Sequence, residues 1–375
     1  MDISTLCLHG GRYIDPTGAV VTPIFQSATF AHPGVGQSTG YDYSRGGNPT
    51  RAALETLMAK LEGAEGAVAF SSGMAAISAA MELFAPGDHL VIMDDLYGGT
   101  KRLFAEVSAK YGVTFTQAAT PLEVERAATA ATRGVFVETP SNPMMKAFDI
   151  AAAAELAHKI GALLIVDNTF LTPYFQNPIA LGADIVIHSG TKYLGGHNDT
   201  LAGFLCAATK ELTAKIRRTA MTTGAALSPF DAFLIQRGIK TLPVRMERAQ
   251  NTAGELARWL GARPEVTRVY YPGLAEHPDY DLMRRQARGF GAMISFAVKA
   301  PEIAVRLLQN VEIIQYAESL GGTDTLITYP ILQTHADVPE EERLALGIDD
   351  KLMRISVGLE AAEDLLADLA CAFEA

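Results

Sequence analysis

The chain has 375 residues, of which 49% are hydrophobic, and its formal net charge is −11. The sequence contains no run of lysine or arginine. Nucleic acid and anionic membranes are therefore not expected partners, because binding to either requires a cationic face. Three widely spaced cysteines without a CxxC pair support neither a disulfide framework nor a zinc site, and we expect no metal. No apolar stretch reaches membrane-spanning length and no signal-peptide pattern opens the chain, so a reducing, cytoplasmic setting is expected.

The N-terminal segment, residues 1–47, lacks periodicity and is rich in glycine, proline and threonine. We interpret it as an arm that packs on another surface, such as a neighbouring subunit. After it, short apolar runs alternate with alanine-rich, helix-like segments, and the runs cover residues 66–70, 89–93, 113–116, 134–138, 163–167, 184–188 and 202–207. Unbroken apolar runs are typical of strands buried on both faces, and the alternation predicts a mainly parallel sheet of about seven strands.

The pattern changes after residue 241. A long helix is predicted to end at Gly261, and strand-like runs, a helix after Pro301 and a C-terminal helix follow it. This order of elements predicts a smaller α+β domain. We therefore divide the chain into the arm, an α/β domain at 48–241 and a C-terminal domain at 242–375.

Polar residues follow several predicted strands, at the sheet edge where α/β proteins bind ligands. The segment from Ser71 to Met74 opens a helix, whose N-terminus can hold an anion, although serine is also an ordinary helix cap. Asp167 ends a very apolar run and either caps a local turn or pairs with a cation of the ligand. The chain has neither GxGxxG nor GxxxxGK[ST], which argues against a dinucleotide-dependent dehydrogenase.

Lys192 lies in "HSGTKYLGGH", directly after an apolar run and among small residues. A lysine deprived of water has a lowered pKa and becomes a nucleophile toward carbonyls, although most lysines are structural. His188 and His197 flank it without further metal ligands, so structural roles are expected for both. An anion cradle, a buried carboxylate and a Schiff-base lysine together match the needs of pyridoxal 5'-phosphate (PLP), with Tyr97 placed to stack on its ring.

Long motifs in the chain resemble the PLP-dependent enzymes of cysteine and methionine metabolism. They run in order over nearly the whole sequence: "YSRGGNPTR" (43–51), "SSGMAA" (71–76), "LYGGT" (96–100), "ETPSNP" (138–143), "VDNTFLTPYFQNP" (166–178), "HSGTKYLGGH" (188–197), "SPFDAFL" (228–234), "ESLGG" (318–322) and "RISVG" (354–358). The resemblance implies the aspartate-aminotransferase-like fold type I, PLP as cofactor, and a homotetramer built from two dimers.

The resemblance also implies roles for individual residues. Lys192 matches the lysine that carries PLP, Asp167 the partner of the pyridine nitrogen, and Tyr97 the stacking tyrosine that also handles protons. Positions that match phosphate contacts are Gly73, Met74, Ser189 and Thr191, together with Tyr43 and Arg45 from the neighbouring subunit. Positions that match the substrate-carboxylate site are Arg354, Asn142 and Ser319, of which Asn142 also contacts the cofactor.

Two residues bear on the choice among family members. Gly99 stands where typical methionine γ-lyases carry cysteine, which argues against that activity. Glu318 stands where cystathionine γ-synthases and γ-lyases usually carry a glutamate that meets a distal ammonium, although it could also be a rim residue facing water. The prediction is a trans-sulfuration enzyme that cleaves C–S bonds, a cystathionine γ-lyase with possible β-lyase activity.

Several alternatives to this activity stay open. They are cystathionine γ-synthase acting on O-acylhomoserine plus cysteine, methionine γ-lyase, homoserine sulfhydrylase, and, from another class, a non-catalytic PLP-binding sensor. The expected small-molecule partner is a sulfur amino acid or its precursor: cystathionine, cysteine, homocysteine or O-acylhomoserine.

Overall fold

The structure is a computed structural model that describes residues 1–375. Its larger sheet has seven strands, as the apolar runs predicted, in the spatial order β1-β7-β6-β5-β4-β2-β3. The strands are β1 (Gly66–Phe70), β2 (His89–Met93), β3 (Thr114–Ala118), β4 (Thr132–Glu138), β5 (Leu163–Asp167), β6 (Ile185–Ser189) and β7 (Gly203–Ala207). The pairs within β2–β6 are parallel, which confirms the mainly parallel sheet, whereas β7 is antiparallel to both of its neighbours.

Helices α1–α9 belong to the part of the chain that contains this sheet, and several pack directly on its strands. They are α1 (Ile3–His9), α2 (Pro49–Glu62), α3 (Gly73–Met81), α4 (Gly98–Glu106), α5 (Pro121–Ala127), α6 (Ile150–Lys159), α7 (Thr172–Phe175), α8 (Lys210–Thr223) and α9 (Pro229–Ile239). Helix α2 illustrates how local sequence sets where a helix begins and ends. Asn48 caps its first N–H groups, Pro49 fits the first turn, and Gly63 ends it with φ 68°, a left-handed conformation that favours glycine.

The C-terminal part forms a second, five-stranded sheet of order β10-β11-β12-β9-β8, in which only β10 and β11 pair in parallel. Its strands are β8 (Val266–Tyr270), β9 (Met293–Val298), β10 (Gln315–Tyr316), β11 (Leu326–Thr328) and β12 (Leu352–Ser356). The helices are α10 (Leu242–Gly261), α11 (Tyr280–Gln286), α12 (Pro301–Asn310), α13 (Glu340–Ala345) and α14 (Ala362–Glu374). The long helix ending at Gly261 and the helix after Pro301 are confirmed.

The N-terminal segment contains α1 and then neither helix nor strand until α2 begins at Pro49. Several of its apolar side chains point away from the chain, since Ile14 is 87% exposed and Val20 is 89% exposed. Such exposure is what a segment that packs on another surface would show. Its role as an arm, and the domain boundaries at 47 and 241, remain predictions. None of the fourteen helices is both long and apolar enough to cross a membrane.

The central strands of the larger sheet end side by side and position the polar residues that follow them. Strands β4 and β5 pair so that Glu138 lies opposite Asp167, and the pairing of β5 with β6 brings Ser189 to the same edge. The three residues before each of these acids, 135–137 on β4 and 164–166 on β5, are buried, so the core fixes the strand ends while their last polar side chains face a cleft.

Candidate active site

The cleft lies between the carboxyl ends of the central strands and residues contributed by the smaller sheet. It brings together nearly every residue that the sequence predicted: Gly73, Met74, Tyr97, Asn142, Asp167, Ser189, Thr191, Lys192, Glu318, Ser319 and Arg354. These residues are spread over 282 positions of the chain, from 73 to 354, so the fold alone explains their proximity.

Lys192 projects into the cleft from the turn after β6. This turn is tight, because a Cβ on Gly190 would lie 2.7 Å from the Phe204 ring and 2.8 Å from the Ala202 methyl group. The Lys192 Nζ donates to Ser319 Oγ at 3.0 Å. Burial, and then the charge of Arg354, lowers the pKa of Lys192 to about 8. A lysine of this kind supplies a neutral amine close to neutral pH, which is what attack on a carbonyl requires.

Asp167 ends β5 and is held in place by a local turn. Its Oδ1 accepts from the Thr169 backbone N–H at 3.0 Å and from the Thr169 hydroxyl at 2.6 Å. Burial raises the pKa of Asp167, while these hydrogen bonds and the nearby His188 oppose the rise. The Thr169 contacts therefore favour a carboxylate at this end of the cleft.

A potential anion site lies at the N-terminus of α3, at another part of the cleft. Gly73 approaches β6 so closely that a Cβ there would lie 3.0 Å from Ser189 Cβ. The hydroxyl-bearing residues Ser189 and Thr191 line the cleft beside it. The first N–H groups of a helix have no partner within the helix, and its dipole favours negative charge there. These groups together can hold a phosphate.

Arg354 on β12 is a buried cation, 1% exposed, whose hydrogen bonds all go to uncharged oxygens. Its guanidinium donates to Asn142 Oδ1 at 2.8 Å, to the Ser319 carbonyl at 2.9 Å and to Thr328 Oγ1 at 3.2 Å, while its Nε has no partner. Burial lowers the pKa of Arg354 to about 10. A buried charge without a counter-ion is costly, so this position fits the binding of an anion.

Ser319 connects the two cations of the cleft, since its hydroxyl contacts Lys192 and its carbonyl contacts Arg354. Its φ is 129°, a strained value for a residue other than glycine. Glu318 precedes it and is exposed at the rim of the cleft in the single chain. A rim carboxylate in the same cleft as Arg354 gives the site opposite charges at separate points.

Tyr97 lies at the start of α4, with 36% of the residue exposed to the cleft and to solvent. Burial, followed by the charge of Glu318, raises the pKa of its hydroxyl. Its backbone N–H donates to Glu138 Oε2 at 2.8 Å, which ties the start of α4 to the end of β4.

Two predicted site residues are absent from the cleft of their own chain, namely Tyr43 and Arg45. Both are exposed on the N-terminal segment, with the Arg45 guanidinium 5.4 Å from the centre of the Tyr43 ring. His188, which the sequence placed beside Lys192, is fully buried against Glu62, with Nε2 and Oε1 2.5 Å apart. His197 contacts the Gly195 carbonyl through Nδ1 at 2.8 Å.

Sequence reasoning gave no role to seven residues that also line the cleft: Ile77, Glu138, Thr169, Phe170, Leu201, Leu320 and Thr334. Two of them carried a usable signal. Glu138 ends an apolar strand just as Asp167 does, and Thr169 lies two residues after Asp167, the spacing of a local side-chain turn. Thr334 comes from an irregular segment without periodicity, so nothing in the sequence placed it here.

Comparison with known proteins identifies the family. Residues 4–374 match the family model described as Cys/Met metabolism PLP-dependent enzyme. The chain belongs to this family. It is 49% identical to a cystathionine gamma-lyase of Bacillus subtilis (strain 168), with 100% of both chains covered. It is 46% identical to a cystathionine beta-lyase of Lactococcus lactis subsp. cremoris (strain MG1363), with 99% of both chains covered.

A solved structure gives the same result for the fold. The crystal structure of cystathionine gamma synthase from Xanthomonas oryzae pv. oryzae in complex with cystathionine superimposes with a TM-score of 0.97 at 42% identity, covering 100% of this chain and 98% of that chain. The protein is therefore a PLP-dependent trans-sulfuration enzyme of fold type I. The residues of the cleft fit this cofactor, because they combine a lysine whose pKa is lowered to about 8, a carboxylate and a helix N-terminus beside two hydroxyl-bearing residues, with the buried cation Arg354 in addition.

Proposed function

We propose that the enzyme is a cystathionine γ-lyase that also has β-lyase activity. The arrangement of charge in the cleft carries this proposal: buried Arg354 lacks a counter-ion, and Glu318 offers a carboxylate at the rim of the same cleft. A substrate that complements both must have a carboxylate near Lys192 and an ammonium group farther out. Cystathionine has this distribution of charge, with an amino-acid group at each end.

Three groups of residues would hold PLP. The N–H groups of Gly73 and Met74, with the hydroxyls of Ser189 and Thr191, would bind the phosphate, and Lys192 would carry the aldehyde carbon. Asp167 would keep a proton on the ring nitrogen, and Tyr97 would stack on the ring. When bound, PLP supplies an electron sink for the negative charge that develops on the substrate Cα.

The residues of the chain would then act on the substrate in defined ways. Arg354 binds the α-carboxylate, assisted by Asn142, and thereby orients the Cα–H bond. Lys192, whose pKa is lowered to about 8, removes the Cα proton as a general base. Loss of a β-substituent can follow directly, whereas loss of a γ-substituent first requires removal of a Cβ proton. The contact between Lys192 Nζ and Ser319 Oγ limits where the freed amine can move.

A complete site would require a second subunit. Tyr43 and Arg45 match phosphate contacts of the family, yet both are exposed outside the cleft of their own chain. We propose that they reach the phosphate of a neighbouring subunit, within a homotetramer built from two dimers. The exposed apolar side chains of residues 10–48 support an interface there. We also propose a cytoplasmic location, supported by three cysteines that are all unpaired.

The direct test is product analysis with cystathionine as the substrate of the purified holoenzyme. Cleavage on the γ side releases cysteine, ammonia and a four-carbon keto acid, whereas cleavage on the β side releases homocysteine, ammonia and pyruvate. We expect cysteine to predominate with homocysteine as the minor thiol. Absence of both thiols, together with formation of cystathionine from O-acylhomoserine and cysteine, would favour γ-synthase, the activity of the Xanthomonas enzyme named above.

A further inference from the structure

Glu138 is a buried acid in the cleft to which the proposed reaction gives no role. It is 6% exposed, ends β4, and lies opposite Asp167 in the parallel pairing of β4 with β5. Neighbouring strands are about 4.8 Å apart, and side chains paired in register share one face of a sheet. Two carboxyl groups therefore end on the same buried face, where both cannot readily carry a charge.

The hydrogen bonds of the two acids differ, and this difference decides where the single charge lies. Asp167 accepts two hydrogen bonds from Thr169, which favours its ionised form. Glu138 accepts only one, from the backbone N–H of Tyr97, and a neutral acid can also accept such a bond through its carbonyl oxygen. Burial and the neighbouring Asp167 both raise the pKa of Glu138 well above its ordinary value, and Asp95 acts in the same direction, while the Tyr97 N–H and Arg354 oppose the rise.

The contact with Tyr97 belongs to a larger set that fixes the β2–α4 loop, residues 94–97. Ser141 donates to Asp95, and Lys146 Nζ lies 3.0 Å from Asp94 Oδ2. Among these contacts, that of Glu138 is the one made directly to Tyr97. The Tyr97 side chain has no hydrogen bond, so its ring depends on the backbone for its position.

We propose that Glu138 is a positioning residue, an uncharged carboxylic acid that holds the backbone N–H of Tyr97 and so fixes the Tyr97 ring over the site. The proposal rests on the stacking role given to Tyr97, but the uncharged state of Glu138 can be tested without substrate or cofactor. The groups that face Glu138 are Asp167, Asp95, Tyr97 and Arg354, and Lys192 lines the same cleft.

The first experiment compares thermal unfolding of wild-type and Glu138→Gln apoenzyme between pH 5 and pH 9. Because the folded protein retains the Glu138 proton above the pH at which an unfolded chain releases it, the contribution of Glu138 to wild-type stability falls as pH rises through this window. Glutamine has no such proton. The stability of the variant relative to wild type should therefore increase as pH rises. The ratio of their folding equilibrium constants should grow by up to about tenfold per pH unit.

Glu123→Gln is the matched control. Glu123 also accepts a backbone N–H bond, from Ala119 at 2.8 Å, but it is exposed on α5 and outside the cleft. The stability of Glu123→Gln relative to wild type should not change comparably between pH 5 and pH 9. If the stability difference between Glu138→Gln and wild type instead stays constant from pH 5 to pH 9, the folded protein holds no extra proton on Glu138 and the proposal is wrong.

The second experiment tests positioning, through the visible circular dichroism of bound PLP and through kcat/KM. Glu138→Leu removes the acceptor, and an unsatisfied N–H should lower kcat/KM about tenfold to a hundredfold relative to Glu138→Gln, with a weaker visible dichroic band. If the leucine variant does not fold, Glu138→Asp replaces it, since the shorter side chain withdraws from Tyr97. A dichroic band equal to that of wild type in the folded variant would rule out the positioning role. Failure of cystathionine turnover in wild type would overturn only the proposed function.

Discussion

Glu318→Gln tests whether the rim carboxylate selects a substrate with a distal ammonium. Glutamine keeps the size of the side chain and removes its charge, while the buried residues that hold Arg354 and Lys192 are not changed. A hydrogen bond to a charged group contributes about 1.5–3 kcal/mol. Glu318 is exposed in the single chain, so solvent screening favours the lower end of this range. We therefore expect a loss on the order of tenfold in kcat/KM for cystathionine.

The assay compares two kinds of substrate. Methionine and an O-acylated homoserine lack the distal amine, so their kcat/KM should change little, and the ratio of the two losses isolates the charge effect. The difference should shrink as salt is added, because salt screens exposed charges. Glu312→Gln is the control, since Glu312 is exposed on the same segment but does not line the cleft. Equal losses on both substrate kinds, or no loss on either, would refute the role proposed for Glu318.

Three further predictions follow from the cations of the cleft and from the arm. Reconstitution of apoenzyme with PLP should accelerate as pH rises through about 8, the pKa of Lys192, because only the neutral amine attacks a carbonyl; a rate that does not rise would contradict this. Arg354→Gln should raise the KM for cystathionine about tenfold to a hundredfold. It should also move the midpoint of the pH dependence of the reconstitution rate upward, because the Arg354 charge helps to lower the pKa of Lys192. An unchanged midpoint would contradict this coupling between the two residues. Mixing inactive Lys192→Ala with inactive Arg45→Ala protein under conditions of subunit exchange should restore part of the activity, and no recovery after confirmed exchange would count against a shared site.

The sequence predicted the large sheet and most of the cleft because buried parallel strands leave a clear pattern. The apolar runs that form the parallel strands β4, β5 and β6 end at the sheet edge that binds ligands, so the sequence groups the residues that follow them, such as Asp167 and Lys192. Strand direction was not visible in this pattern. Strand β7 is antiparallel to β6, and the connecting residues 190–202 contain no helix of the kind that a parallel crossover uses.

What the sequence could not predict depends on contacts between distant segments. The register that places Glu138 opposite Asp167 arises from pairing of β4 with β5, and a sequence does not show how two neighbouring acids share one charge. Thr334 reaches the cleft from an irregular segment of the C-terminal part. The strained φ of Ser319 is likewise a result of tertiary packing rather than of local propensity.

Borohydride reduction of the holoenzyme tests the central claim most directly, that this cleft holds PLP on Lys192. Borohydride converts the bond between a lysine and PLP into a stable amine, which peptide mapping then locates. The expected result is one labelled peptide that contains "HSGTKYLGGH", with the label on Lys192. A label on any other lysine, or turnover retained in the Lys192→Ala variant, would contradict the account.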